Sequence, residues 1–214
     1  ASISFENQPS KEVSDGGTVH RISLLREAGR SLLFRLLNML YFPLRVFVFL
    51  LFRGKFDMVM VSTAPPVVLG FITAIGARLK GSMFFYHCMD IHPEIGALSG
   101  EFKNPLLFKL LHSADTISCN IANTIIVLSG DMKSALQRRP GLKNDNIRIL
   151  NNFALPVHDE VGSIPHSLLK QEGKFRVLFA GNIGRFQGLE VYVEAMKLLE
   201  NRDDIELVFL GDGS

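Results

Sequence analysis

Apolar runs and helical periodicity alternate along most of the chain, and they predict strands and helices in turn. The predicted strands are residues 18–25, 56–62, 83–88, 124–128, 147–150, 175–180 and 205–210. The predicted helices are residues 67–80, 104–122, 131–138 and 188–200, with Ser129 placed to cap the third. Short apolar strands that alternate with helices of this length are typical of a parallel sheet covered on both faces.

Residues 31–52 form the longest apolar stretch, and they predict a helix with Pro43 near its middle. At about 100° per residue, Ser31, Arg35, Asn38 and Arg45 share a narrow arc, and most of the helix surface is apolar. A membrane-spanning helix would bury two arginines and a proline at bilayer depth. We therefore favour a helix that lies on a membrane, with an ordinary buried helix as the alternative.

Composition sets broad limits on function. Hydrophobic residues make up 47% of the 214 residues, which is enough for a sizeable core, and the net charge of +2 gives no argument for nucleic acid. Seven basic residues are interspersed with apolar residues between positions 21 and 55, in about the first quarter of the chain. They are Arg21, Arg26, Arg30, Arg35, Arg45, Arg53 and Lys55. A basic and apolar segment is typical of contact with an anionic membrane, and we expect Arg30, Arg35 and Arg45 to face it.

Two cysteines, Cys88 and Cys119, lie in apolar or helical runs without a CxxC spacing. This predicts two buried thiols in a reducing cytoplasm rather than a disulfide. The polar start of the chain does not resemble a signal peptide.

The pattern of elements divides the chain into an N-terminal domain at residues 1–155, a linker at 156–174 and the start of a second domain at 175–214. The linker contains Pro, Gly, Ser and charged residues without a clear period. The chain begins without Met and stops directly after a strand, so we expect both ends to be fragment ends.

A glycine-bearing turn, GNIGRFQG at residues 181–188, follows one strand and opens a helix. Backbone amides at such a turn make an anion site, and an arginine side chain can pair with phosphate oxygens. The spacing differs from the dinucleotide motif GxGxxG, and a purely structural turn is the alternative. The candidate phosphate-binding residues are Gly181, Asn182, Ile183, Gly184, Arg185 and Gln187.

The segment YHCMDIHPE at residues 86–94 follows a predicted parallel strand, and ligands bind outside the carboxyl ends of such strands. Asp90 and Glu94 are candidates for general acid–base catalysis. The histidine spacing matches no zinc pattern, so we expect no metal. A structural role for Asp90, as a helix N-cap or in holding the loop, is the alternative.

Six segments of the chain are similar, in the same order, to segments of glycosyltransferase family 4. Within this family the similarity is to transferases of bacterial O-antigen, capsule and exopolysaccharide assembly. They are FDMVMVSTAPP, FFYHCMDIHPE, ANTIIVLSGDMKSAL, IRILNNFA, FRVLFAGNIGRFQGLEVYVEAM and IELVFLGDGS. His92 stands where Trp is usual in the second segment. Many members have Arg and Lys at the positions of Asn182 and Gln187, which leaves Arg185 and the backbone amides to neutralise a diphosphate.

The resemblance implies an α/β fold of the GT-B type, with two Rossmann-like domains across a cleft, the second present only as its first βαβ unit. It also implies a nucleoside-diphosphate sugar as donor, UDP- or GDP-linked, with retention of configuration and without cofactor or metal. Asp90 would lie on the acceptor side, and residues 181–187 would hold the donor diphosphate.

The expected function is sugar transfer to a lipid-linked or glycan acceptor in cell-surface polysaccharide synthesis, on the inner face of the plasma membrane, without nucleic acid. We expect the 214-residue piece alone to be inactive. The alternatives are a non-catalytic membrane-associated Rossmann-like module and an enzyme that modifies nucleotide sugars. The latter would need a Tyr-x-x-x-Lys or GxGxxG motif, and the sequence shows neither.

Overall fold

A computed structural model describes residues 8–14, 16–24, 32–63, 65–98, 100, 104–152, 172–184 and 187–213, with only the backbone described for 14 and 32–36. Contacts divide the chain into two units, Ala1–Asn152 and Phe153–Ser214. Most of the predicted linker at residues 156–174 lies outside the described residues.

The first unit contains a four-stranded parallel sheet in the order β3-β4-β5-β6. Its strands are β3 (Met58–Ser62), β4 (Met83–Cys88), β5 (Thr124–Val127) and β6 (Ile147–Ile149). The helices between them are α2 (Val68–Lys80), α3 (Glu94–Leu98), α4 (Pro105–Ile121) and α5 (Gly130–Gln137). The apolar pattern predicted this parallel α/β arrangement, and it is consistent with the Rossmann-like unit that the family resemblance implied.

Helix caps explain where two of these helices begin. The Asn104 side chain accepts hydrogen bonds from the amides of Leu106 and Leu107 at the start of α4. Ser129 accepts one from the amide of Met132 at the start of α5, which confirms the predicted cap.

Two features of the first unit differ from the prediction. A single strand was predicted at residues 18–25, but β2 (Gly17–His20) forms an antiparallel hairpin with β1 (Lys11–Ser14). Helix α3 lies where no element was predicted. Both elements are short, and the described side chains of β1 are exposed, so neither produces a clear apolar period.

The core of the first unit lies between the sheet and α2 and α4, and it is tightly packed around Tyr86. The Tyr86 side chain is fully buried, and a Cβ added at Gly70 of α2 would lie 2.7 Å from its ring. Cys88 and Cys119 are buried here and unpaired, which confirms the predicted pair of buried thiols. Glycine at position 70 therefore sets how closely α2 approaches β4.

Replacing Gly70 by Ala is expected to lower the free energy of unfolding by about 1–3 kcal/mol, because the new methyl group overlaps the Tyr86 ring. Urea unfolding followed by circular dichroism measures the change. Gly130→Ala is the matched control, since nothing lies within 4 Å of its added Cβ, and it should be neutral or stabilising. Equal stability of the two variants would contradict this account of the packing.

Helix α1 (Leu32–Phe52) includes Pro43 and packs against α2. A Cβ added at Gly76 of α2 would meet the side chains of Phe47 and Leu50 at 3.2 and 3.3 Å. Asn38 is buried and Arg45 is exposed, so the two members of the predicted narrow arc whose side chains the structure describes lie in different environments.

The outer side of α1 carries a row of exposed apolar side chains. They are Leu37, Leu40, Leu44, Val48 and Phe52, at helical spacing. None of the helices that the structure describes combines the length and the apolarity needed to span a bilayer.

The second unit is a βαβ arrangement of β7 (Phe175–Ala180), α6 (Glu190–Leu198) and β8 (Ile205–Leu210). The two strands are parallel, from Phe175 opposite Ile205 to Ala180 opposite Leu210. Both strands end where the sequence predicted, and α6 is two residues shorter at each end than predicted.

Candidate functional site

The loop that follows β4 is held at the carboxyl edge of the sheet by the loop that follows β3. The amides of Met89 and Asp90 donate to the Thr63 hydroxyl oxygen at 3.2 and 3.4 Å. Thr63 itself is buried, with 5% of its surface exposed. The backbone at Asp90 is therefore fixed without the help of its own carboxylate.

The Asp90 carboxylate is exposed and makes no hydrogen bond or ion pair to any residue that the structure describes. It lines a cavity of about 350 Å³ beside the sheet edge. The other lining residues are Met89, Ile91, Glu94, Ile95, Leu98, Met132 and Ala135. A carboxylate placed like this is free to meet a ligand, and its catalytic role stays a prediction.

Glu94 lies only four residues further along, but its carboxylate is held by Arg139. The guanidinium donates through Nε to Oε1 at 2.9 Å and through Nη2 to Oε2 at 2.8 Å. His112 Nε2 lies 3.7 Å from Oε1. To accept a proton, the Glu94 carboxylate would have to give up its bidentate hydrogen bonds with Arg139. The catalytic role predicted for Glu94 stays a prediction, and the geometry favours Asp90 over it.

Arg139 connects this loop to a buried polar network in the core. Its Nη1 donates to Oδ2 of Asp115 in α4, and the Tyr86 hydroxyl donates to Oδ1 of the same carboxylate. Its Nη2 also donates to the carbonyl oxygen of His92 at 2.9 Å. Only 5% of Arg139 and 2% of Asp115 are exposed, so the pair is shielded from water. This network fixes the loop to α4 and to the segment after α5, both far away in sequence.

The network also sets the charge state of its members. Burial raises the pKa of the Tyr86 phenol well above its usual value, helped by the Asp115 carboxylate, so the hydroxyl stays a donor. Burial alone would lower the pKa of Arg139, but the carboxylates of Asp115 and Glu94 outweigh it and raise that pKa. The adjacent Cys88 thiol and burial raise the pKa of Cys119, so this thiol stays protonated.

Sequence reasoning missed the members of this network other than Glu94. Asp115 lies inside a predicted helix among small and polar residues, and its burial, which demands a partner, is known only from the structure.

His87 and His92 flank Asp90, and each has a buried ring nitrogen without a hydrogen-bond partner in the described structure. The atoms are Nε2 of His87 and Nδ1 of His92. Among the described residues, no group of three or more His, Cys, Asp or Glu side chains is arranged to hold a metal ion.

In the second unit, the turn after β7 continues to pair with the chain after β8. The amide of Gly181 donates to Leu210 and that of Ile183 to Asp212, at 2.9 and 2.8 Å. A Cβ at Gly211 would lie 1.8 Å from the Gly181 carbonyl oxygen, so this close approach requires glycine.

Two more amides of the turn are also engaged within the chain. The amide of Gly184 donates to the Asn182 carbonyl oxygen, and that of Gln187 donates to the Gly184 carbonyl oxygen, both at 3.1 Å. Within the described residues, the amides of Asn182 and of Gly188–Glu190 at the start of α6 have no such acceptor. Arg185 lies outside the described residues. Phosphate binding by this turn stays a prediction, and its available donors are fewer than the sequence indicated.

The predicted membrane-facing arginines are described in part. Arg30 lies outside the described residues, and only the helical backbone of Arg35 is described. Arg45 is exposed, donates to the Tyr41 hydroxyl at 3.0 Å and lies over the Tyr41 ring.

No protein-family model matches the chain. The chain is similar to a curated protein of Pseudomonas aeruginosa that is named probable glycosyltransferase WbjE, with 25% identity over 167 residues. The aligned part covers 74% of this chain and 40% of that relative, so the chain spans less than half of the relative's length. The similarity supports a relationship to glycosyltransferases in general. Membership of family 4 and the GT-B arrangement stay predictions.

Proposed function

We propose that the protein is a glycosyltransferase that moves a hexose or N-acetylated amino sugar from a nucleoside-diphosphate sugar to a lipid-linked or glycan acceptor. The donor is UDP- or GDP-linked, the fold is of the GT-B type, and the transfer retains configuration without a metal. The setting is cell-surface polysaccharide synthesis. The observation that carries the proposal is the similarity to a probable glycosyltransferase over 167 residues.

The first unit is proposed to bind the acceptor at the carboxyl edge of its sheet. Asp90 is the best-placed residue, because its backbone is fixed by Thr63 and its carboxylate has no partner among the described residues. The carboxylate would orient an acceptor hydroxyl or stabilise developing positive charge. Glu94, held by Arg139, is proposed to keep the loop in place.

The second unit is proposed to bind the donor diphosphate at the turn after β7. Since the amides of Gly181 and Ile183 are used in strand pairing, the remaining donors are the Asn182 amide, the first amides of α6 and the Arg185 side chain. Glu190 in the first turn of α6 opposes an anion there. We therefore expect this turn to contribute only part of the donor affinity.

The exposed apolar row of α1 supports a proposed peripheral position on the inner face of the plasma membrane. Apolar side chains at helical spacing enter the interface between headgroups and acyl chains, and nearby basic residues attract anionic lipid. The 85% exposure of Phe52 is unusual for an aromatic side chain and fits this role.

The chain is expected to co-sediment with phosphatidylglycerol vesicles at low salt. Changing Leu44 and Val48 to Asp should reduce binding at least tenfold, because two exposed apolar side chains are lost from the row. Leu106 and Leu110 of α4 are exposed to a greater extent, 75% and 65% against 52% and 48%, and changing both to Asp is the matched control. Equal losses in the two double variants, or no binding by the unchanged chain, would contradict a role for α1.

Two alternatives remain for the experiment to separate. A non-catalytic membrane-associated module would bind vesicles and leave every nucleotide sugar intact. A nucleotide-sugar-modifying enzyme would convert the sugar without releasing nucleoside diphosphate.

The proposal is tested by incubating the full-length protein encoded by the gene with a set of UDP- and GDP-linked sugars. Released nucleoside diphosphate is measured by ion-exchange chromatography, with heat-inactivated protein as the control. Release from at least one donor supports the proposal. Intact donors throughout, in a folded preparation, would support the non-catalytic module.

A further inference from the structure

The cavity beside Asp90 has a lining that is almost wholly apolar. Six apolar side chains form it: Met89, Ile91, Ile95, Leu98, Met132 and Ala135. They come from the loop after β4, from α3 and from α5. Its volume of about 350 Å³ is in the range of small-molecule sites.

The polar groups of this cavity indicate which ligands it excludes. Glu94 also lines it, and the Arg139 guanidinium that binds its carboxylate is shared with Asp115, is buried and is unavailable to a ligand anion. Asp90 adds a negative charge without a partner among the described residues. A phosphate or carboxylate group in the cavity would meet this charge at short range, so an anionic group is disfavoured.

The apolar side chains of the cavity are open to water rather than closed into the core. Leu98 is 90% exposed, and Met89 and Ile95 are each 40% exposed. Covering them with an apolar group is favourable, and the two methionines can adapt to its shape. The surface therefore favours an uncharged amphiphile, with a hydroxyl for Asp90 and an apolar part for the cavity.

We propose that this cavity is an acceptor subsite for an uncharged apolar group attached close to the reacting hydroxyl. Asp90 accepts the hydrogen bond of that hydroxyl, while the apolar group lies along Ile91, Ile95 and Met132. That the ligand is a sugar acceptor rests on the proposed function. The presence of the subsite itself rests on the cavity and on the Asp90 carboxylate, which has no partner among the described residues.

The test compares the binding of n-octyl and methyl β-D-glucopyranoside to the chain by calorimetry, with the octyl glycoside kept below its micelle-forming concentration. Each buried methylene is worth about fourfold in affinity, so the octyl compound should bind at least about 50-fold tighter if three or more methylenes are covered. Ala135→Phe fills the cavity and should remove most of this preference. Ala195→Phe, the same change on an exposed helical alanine of the second unit, is the matched control and should leave it unchanged.

Asp90→Asn should weaken both glycosides by a similar factor and leave their ratio intact, because the carboxylate meets the headgroup. Equal binding of the two glycosides by the unchanged chain would overturn the subsite. So would an octyl preference that Ala135→Phe does not alter, since the alkyl chain would then lie elsewhere or the cavity would be covered by another part of the protein. Binding is measured without donor, so a full-length protein that transfers no sugar would defeat the proposed function and leave this result standing.

Discussion

Replacing Arg139 by Met is expected to lower the free energy of unfolding of the first unit by about 3–5 kcal/mol. The change removes the positive charge between two carboxylates and leaves Asp115, which is 2% exposed, with only the Tyr86 hydroxyl as a hydrogen-bonding partner of normal strength. Urea unfolding measures the loss. A cost of this size is a large part of the stability of a domain, so soluble yield should fall as well.

Arg138→Met is the matched control, because this neighbouring arginine is exposed and should change stability by less than about 0.5 kcal/mol. The double variant Asp115→Leu with Arg139→Met should recover part of the loss, since it removes both buried charges together. A single variant Arg139→Met as stable as Arg138→Met would show that the network contributes nothing to folding.

In the full-length protein, Asp90→Asn is expected to lower kcat by about 10²- to 10⁴-fold while the donor KM barely moves. Asparagine preserves the shape but lacks the charge and the basicity of the carboxylate. The melting temperature should stay unchanged, because the side chain has no partner among the described residues to lose. Asp57→Asn is the matched control. Asp57 is exposed and precedes β3, at the opposite edge of the sheet.

A drop in melting temperature without a drop in kcat would show that Asp90 holds the loop instead. A stable Asp90→Asn variant with near-normal kcat would mean that Asp90 is not the catalytic residue, and Glu94 would be tested next. The Glu94→Gln result must then be read together with the stability of the variant, since the change also weakens the pair with Arg139.

Much of the fold was predictable because its strands are short apolar runs that alternate with helical periodicity. The runs at Met83–Cys88, Phe175–Ala180 and Ile205–Leu210 are nearly continuous in apolar residues, and their ends matched the prediction. The hairpin strand Lys11–Ser14 carries no such run, because its described side chains face solvent. Its pairing with Gly17–His20 depends on backbone hydrogen bonds, which leave little trace in composition.

A site residue was predictable only where its position next to a strand in the sequence determines its location in the fold. A polar residue directly after a parallel strand lies at the ligand-binding edge, which places Asp90 from sequence alone. Arg139 contacts Glu94 across 45 positions, and no spacing rule relates the two. In the second unit, only the pairing with Leu210 and Asp212 reveals that the amides of Gly181 and Ile183 are engaged. Tertiary contacts, not local pattern, decide which candidate groups remain free.

The most direct test of the central claim is whether a new glycosidic bond forms. The full-length protein is incubated with its nucleoside-diphosphate sugar and a lipid extract of the native membrane, and the extract is then analysed by mass spectrometry. The account predicts an acceptor heavier by one sugar residue, formed with the unchanged protein and about 10²-fold or more slowly with Asp90→Asn. Donor that is left intact, or that yields only free sugar with every acceptor fraction, would contradict it.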